Sequence, residues 1–261
     1  MKVLVVNDDG IYAKGIRVLA NTLRNICEVV VVAPDRQKSA AGHSLTINDV
    51  LVIKKVEIEE GFNGITVVDG TPTDCVLVGV KDITKDEPPD FVVSGINQGA
   101  NLGGDILYSG TVAGALEGLV NGFKSIAISL DTNRDDGHFE TAAKVALKIL
   151  EKKELLEGIV EERSILNINV PNVPYEELKG FRITRQGRTQ YENNLERYTS
   201  PQGKIFYWVS GDRPPHELQE DTDSFAVANN YVSITPINID MTNYPLVEKL
   251  KKTIIKYNIS L

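Results

Sequence analysis

The sequence runs to 261 residues, 42% hydrophobic and 25% charged, with 28 Lys and Arg against 36 Asp and Glu for a formal charge of -8. That composition is ordinary for a globular chain and long enough for one large domain or two small ones at about 150 residues each, and its acidity excludes a protein that coats nucleic-acid polymers, which needs a basic face. Two cysteines, Cys27 and Cys75, each inside an apolar run, exclude a disulfide framework and a paired-cysteine metal site; two buried thiols in a reducing cytoplasm are expected, with no secretory signal and no membrane span.

Residues 2–7 (KVLVVN) form an unbroken apolar run ending in polar residues, followed by Ile16, Leu19, Ala20 and Leu23 at helical spacing. A second run at 29–33 (VVVVA) stops at Pro34, so the opening reads strand, helix, strand, both strands buried on two faces as in a parallel sheet. Residues 50–58 and 65–68 read as extended pieces, and 71–80 as a helix capped by Thr71 with Pro72 at its first position. Strands at 91–94 and 125–130 then flank a helix carrying Val112, Leu116, Leu119 and Val120. A stripe of Ala142, Val145, Ala146, Ile149 and Leu150 predicts the next helix, and 165–170 another strand.

Beyond about residue 180 the texture changes. Residues 182–190 and 204–210 are β-rich and separated by the polar stretch 192–203, which predicts a long hairpin; 231–236 reads as a further strand and KLKKTIIK at 249–256 as the solvated face of a last helix. A two-stranded ribbon alone is marginal in water, so it is expected to pack on another subunit or fold over the site. The expected fold class is α/β: a Rossmann-like three-layer α/β/α core with a mostly parallel sheet over residues 1–180, and a C-terminal β-hairpin and helix elaboration used in oligomerisation over residues 181–261.

In open α/β sheets ligands bind beyond the carboxyl ends of the strands. Three such ends stand out, at Asn7-Asp8-Asp9-Gly10, at 34–44 (PDRQKSAAGHS) and at 94–105 (SGINQGANLGGD). Two adjacent carboxylates at the end of an apolar strand raise each other's pKa unless a cation intervenes. Asp8, Asp9, the Ser39 hydroxyl and the Asn97 amide oxygen make an oxygen donor set suited to Mg or Mn. The blander alternatives are that one aspartate caps the following helix and the other is solvated, that Ser39 is an ordinary loop residue, and that Asn97 forms a turn beside Gly95 and Gly99.

Ser109, Gly110 and Thr111 fall where a helix begins, a phosphate cradle of free N–H groups at the positive end of the dipole, with Asn101 able to add a side-chain amide. Alternatively the small residues there only let helix and sheet pack closely. No GxxxxGK[ST] loop is present, and the first strand leads into NDDG rather than GxGxxG, which disfavours dinucleotide chemistry. Of three histidines, His43 alone lies near a candidate residue; His138 and His216 sit in polar surroundings, and a loop histidine satisfied by solvent is the simpler reading of His43.

NDDG at 7–10, PDRQKS at 34–39, SGINQGANLGGDILYSGTVAGALEG at 94–118 and DTDSFAVANNYVSITP at 221–236, four motifs in order, together resemble the SurE family of metal-dependent 5'/3'-nucleotidases. The resemblance implies the same four metal ligands, Asp8, Asp9, Ser39 and Asn97. It also implies one divalent cation per subunit, a C-terminal arm exchanged between subunits of a homodimer or homotetramer, and release of phosphate from nucleoside monophosphates, with short polyphosphate sometimes accepted. Ala40, Ala41 and His43 depart from the variants expected in that loop, and Asn229-Asn230 stands where a glycine is common.

The expected mechanism is in-line attack by metal-activated water, with Thr111 and neighbouring amides on the equatorial oxygens and Asp9 positioning water or protonating the leaving alkoxide. A metal-dependent glycosyl or nucleotidyl transferase is one rival, which releases no phosphate without an acceptor. A non-enzymatic nucleotide-binding module is the other, whose binding survives chelation.

Overall fold

The computed structural model describes residues 1–188, 194–210 and 219–257. Strand β1 (Lys2–Val6) is buried on both sides, as its unbroken apolar run requires, and leads into α1 (Lys14–Leu23), whose Ile16, Leu19, Ala20 and Leu23 form the buried stripe. Next come β2 (Glu28–Pro34), β3 (Val52–Glu59) and β4 (Phe62–Val68). Helix α2 (Pro72–Val78) starts as expected: the Thr71 hydroxyl accepts from the Asp74 N–H at 3.1 Å while the Asp74 carboxylate accepts from the Thr71 N–H at 2.9 Å.

The second half follows as β5 (Phe91–Gln98), α3 (Gly110–Val120), β6 (Lys124–Asp131), α4 (Phe139–Glu151) and β7 (Ser164–Pro171). The chain then forms β8 (Phe181–Ile183), β9 (Asn194–Thr199), β10 (Ile205–Ser210), α5 (Asp223–Ala228), β11 (Val232–Asn238) and α6 (Tyr244–Lys256). Nine strands form one sheet in the order β3-β4-β2-β1-β5-β6-β7-β11-β8. Strands β4, β2, β1, β5, β6 and β7 run parallel, whereas β3 pairs antiparallel to β4 at one end and β11 antiparallel to β7 toward the other, with β8 parallel to β11 at that edge.

Alternate residues of β1 serve opposite layers. Val3 and Val5 join a core with α1 and α4, including the fully buried Phe139, while Leu4 and Val6 meet Cys75 and Val76 of α2. Helix α3 packs Val112, Ala115 and Leu119 on the same side as α2, so the three-layer expectation holds. Its glycines allow the closeness: a Cβ on Gly118 would lie 2.4 Å from Ser125 Oγ, and one on Gly114 2.7 Å from Ser94 Oγ. Of the two thiols, Cys75 is buried, but Cys27 is only half-buried, with its Sγ against the Leu23 carbonyl oxygen at 3.2 Å.

Two further expectations need correction. The hairpin is formed by β9 and β10, with Thr199 opposite Ile205 and Leu195 opposite Val209. The stretch read as a polar separator therefore contains a strand, because Leu195 and Tyr198 interleave with Asn194, Glu196 and Arg197. Residues 182 and 183, expected in the hairpin, instead belong to β8, which extends the main sheet in parallel with β11; part of the 182–190 stretch and His216 lie outside the described residues. Phe206, Tyr207, Trp208 and Val209 are all exposed in sequence along β10, so both faces of the ribbon present apolar side chains to solvent. No helix among the described residues is long and apolar enough to cross a membrane.

Candidate active site

The chain leaves β1 toward β2 on one side and β5 toward β6 on the other, so the carboxyl ends of β1 and β5 flank the topological switch point, where open α/β sheets hold ligands. The turn after β1 is shaped by buried Asn7, whose Nδ2 donates to the Gly10 carbonyl at 2.9 Å while its Oδ1 accepts from the Gly10 N–H at 3.2 Å. Gly10 has φ +102° and lies against the Arg36 backbone, where a Cβ would come within 3.2 Å; a side chain would separate the β1 turn from the loop that carries Ser39.

Asp8 is buried, and the Thr111 hydroxyl of α3 donates to its Oδ1. Burial pushes the Asp8 carboxyl up to about 6 from 3.8; the Thr111 hydrogen bond pulls against that rise and the neighbouring Asp9 charge adds to it. Asp9 is raised as well, by burial, while the Gln98 N–H donates to its Oδ2 at 3.0 Å and Gln37 to its Oδ1 at 3.5 Å. Neither aspartate caps a helix: α1 begins after Ala13, which offers no side-chain cap. Among the described residues neither carboxylate has an ion pair, and the nearby Arg36 and Lys38 turn to Asp69 instead.

A cleft of about 490 Å³ opens beside Asp8, with Ser39, Asn97, Asn101, Tyr108 and Ser109 on its walls and Val209 of the hairpin at its side. Ser39 is exposed on the loop after β2. Asn97 donates its Nδ2 to the Gly99 carbonyl at 2.7 Å, leaving Oδ1 as the acceptor end of the amide. Asn101 is held rigidly: its Nδ2 donates to Ser129 Oγ at 2.8 Å, and its carbonyl accepts from Asn167 and Asn169.

The three strand ends thus converge, with one difference from expectation. Asp9 faces an adjoining cleft with Lys14, Arg17 and Gln37, while Gln98 and Asn133 line both. Gly110 and Thr111 stand behind the first cleft's lining. A Cβ on Gly110 would lie 2.8 Å from Asp8 Cβ, so the glycine lets α3 abut the aspartate. Ser109 caps α3 through its Oγ, which accepts from the Val112 N–H at 3.1 Å. The preceding two N–H groups of the first turn, on Gly110 and Thr111, have no acceptor within the helix. The same small residues therefore let α3 abut Asp8 and leave two N–H groups without a helical acceptor.

His43 is exposed to solvent, as expected, but lies outside the cleft, and its Nε2 also lies 2.9 Å from Glu117 Oε2. Two contributors went unread in the sequence. Gln98 holds Asp9 through its backbone, and its place at the end of β5 was the available signal. Asp223, fully buried, accepts from the N–H groups of Gly103 and Gly187 at 2.9 Å each and so ties the loop after β5 to the C-terminal segment. Asn230 takes φ +63°, a left-handed conformation that asparagine tolerates where glycine is common.

The donor set fits a hard divalent cation. Every candidate donor is oxygen, and among the described residues neither the buried Asp8 nor the part-buried Asp9 has an ion-pair partner, and no other group of three or more His, Cys, Asp or Glu could hold a metal.

The family model for Survival protein SurE matches residues 3–193, which contain every candidate residue. The chain belongs to the SurE family. Among SurE relatives, the 5'-nucleotidase SurE of Aquifex aeolicus is 47% identical over 248 residues, 95% of this chain and 96% of the relative. The 5'/3'-nucleotidase SurE of Proteus mirabilis is 48% identical over 254 residues, 96% of this chain and 95% of that one. The crystal structure of the SurE protein from Aquifex aeolicus superposes with a TM-score of 0.82 at 45% identity, covering 97% of this chain and 99% of that one. The mostly parallel, three-layered SurE fold therefore extends over nearly the whole chain.

Proposed function

We propose that this chain is a divalent-metal-dependent phosphohydrolase that releases phosphate from nucleoside 5'-monophosphates and 3'-monophosphates, as its relatives' names 5'-nucleotidase and 5'/3'-nucleotidase suggest, with short polyphosphate as a further substrate. One Mg or Mn per subunit is held by Asp8, Asp9, Ser39 and Asn97. The observation that carries this reading is the buried, uncompensated Asp8 at the switch point, abutting the N-terminus of α3. A divalent cation bound there supplies acidified water and draws charge from the phosphoryl oxygens.

The remaining work falls to the chain. The Thr111 hydroxyl is committed to Asp8, on which its backbone N–H also bears, so Thr111 shares its N–H between Asp8 and phosphate while the Gly110 N–H serves phosphate alone. Ser109 shapes that turn, and Asn101, fixed by Ser129, directs the second hydrogen of its amide toward the equatorial oxygens. These donors face charge that grows in the transition state. Asp9, steadied by the Gln98 N–H, positions the attacking water or returns a proton to the leaving alkoxide; no protein nucleophile is required.

A second copy of the chain covers the exposed ribbon of β9 and β10, giving a homodimer or homotetramer in which residues 1–180 are the catalytic core and 181–261 the assembling elaboration. The free thiols suit a cytoplasmic protein. The test is phosphate release from a panel of nucleoside 5'- and 3'-monophosphates with Mg or Mn, after EDTA, and in Asp8→Asn. Turnover that needs metal and is lost in the variant supports the reading; a folded sample inert with every metal, or an active Asp8→Asn, overturns it. Light scattering of the parent and of Trp208→Glu tests the assembly, the variant being expected to dissociate.

A further inference from the structure

Glu117 lies on α3 six residues beyond Thr111, about 9 Å along one rigid helix. Its side chain is only 8% exposed and outside the cleft, yet both oxygens are engaged: Asn121 Nδ2 donates to Oε1 at 2.8 Å and His43 Nε2 approaches Oε2 at 2.9 Å. A buried carboxylate with two built partners is a structural anchor, and an ionised carboxylate only accepts, so His43 Nε2 carries the hydrogen.

The loop that ends in His43 is the one that carries Ser39. Before Ser39, the Lys38 N–H donates to the Asp8 carbonyl at 2.7 Å; after it, the Gly42 N–H donates to the Tyr108 carbonyl at 3.0 Å. Between these points Ser39 and Ala40 are exposed, and Ala40 and Gly42 both take positive φ, +57° and +58°. Ser39 and Ala40 are thus the exposed central pair of a turn closed by the Ala41 N–H on the Lys38 carbonyl at 3.2 Å, and that turn is held as a unit at its two ends. Asp8 is referenced to α3 through Thr111, and the far end of the Ser39 loop is referenced to the same helix through Glu117.

We infer that His43 is a positioning residue for the metal site: with Glu117 it clamps the Ser39 loop to α3, and so sets the spacing of the Ser39 hydroxyl from Asp8. This rests on Ser39 being a ligand, as proposed above. Loss of the clamp leaves the turn that carries Ser39 free to shift relative to α3, so that its place is set only on metal binding, which weakens affinity for the cation while leaving the phosphate-binding turn of α3 intact.

The test is direct Mn2+ binding to the full chain, read by calorimetry or by the resonance of the free ion. His43→Ala is expected to weaken binding about tenfold, while kcat at saturating Mn2+ changes less than about twofold. His43→Gln, which places an amide nitrogen near the position of Nε2, restores most of the affinity. Adding Glu117→Ala to His43→Ala brings no further loss, because the two act as one contact. In a Ser39→Ala background, His43→Ala has no effect on the dissociation constant, a result that a merely destabilising substitution would not produce.

Unchanged affinity in His43→Ala, or a loss that persists without Ser39, overturns the inference. Should His43→Ala fail to fold, Glu117→Ala in the two backgrounds gives the same comparison. A parent that binds no Mn2+, or Asp8→Asn binding as tightly as the parent, removes the metal-site reading itself and the inference with it. Metal-binding parent and inert Asp8→Asn, with an unaffected His43→Ala, removes the inference alone.

Discussion

Asp8 and Asp74 are both buried aspartates, yet their surroundings differ. Asp74 receives the Thr46 N–H at 2.9 Å, the Thr46 hydroxyl at 2.7 Å and the Thr71 N–H at 2.9 Å. Asp8 receives the Thr111 hydroxyl and is favoured by the backbone N–H groups of its own residue and of Thr111, yet burial outweighs these donors and a second carboxylate stands beside it. A carboxylate supplied with N–H and O–H donors holds structure together, as Asp74 holds the loop at Thr46 to the start of α2. One whose donors do not offset its burial and a neighbouring charge keeps its affinity for a cation.

The largest effect that sharpens this contrast is on turnover: Asp8→Asn should lower metal-dependent phosphate release by roughly 10³-fold while the fold survives, measured as kcat/KM beside a thermal melt. Asp74→Ala should do the reverse, costing about 3 kcal/mol of stability through the lost cap and stranded donors. Its melting temperature should fall by roughly 6–12 °C with near-normal turnover per folded molecule. A severe loss of turnover in the folded Asp74→Ala protein would break the contrast.

The pH dependence of the metal-free protein separates the two sites further. The folded Asp8 pKa, about 6, lies above the ordinary 3.8, so this group's stabilisation is complete below 3.8 and is lost as pH rises through 6. The shift corresponds to roughly 3 kcal/mol, and Asp8→Asn should remove that slope from melts taken with EDTA present. Because the cation displaces the proton, metal affinity should fall as pH drops below 6. A smaller effect is expected from Gly110→Ala, whose new methyl meets Asp8: a loss of about 1–3 kcal/mol accompanied by reduced turnover.

Much of this was legible in the sequence where local physics decides. The apolar runs of β1 and β2 specify strands buried on both faces, and TPTD announces the capped start of α2 through its own side chains. Convergence of Asp8, Ser39 and Asn97 followed from the rule that strand ends meet at one edge. What was not legible depends on contacts distant in sequence or on the absence of alternation. His43 finds its acceptor 74 residues away, and Asp9 is turned toward a second cleft by the Gln98 N–H, 89 residues away. The hairpin was misplaced because a ribbon with apolar side chains on both faces lacks the inside-outside pattern that marks strand boundaries.

Val209, at the end of β10, reaches the wall of the Asp8 cleft from outside the span matched by the family model. The groups proposed to perform the chemistry and this wall are thus encoded in separate stretches of the chain. Substitutions in the ribbon alter the shape of the cleft while sparing every proposed ligand, which lets relatives diversify in substrate choice by changing one short, replaceable module. Exchanging residues 194–210 between two relatives is the experiment in which such a division of labour becomes visible, as a transferred preference on an unchanged catalytic background.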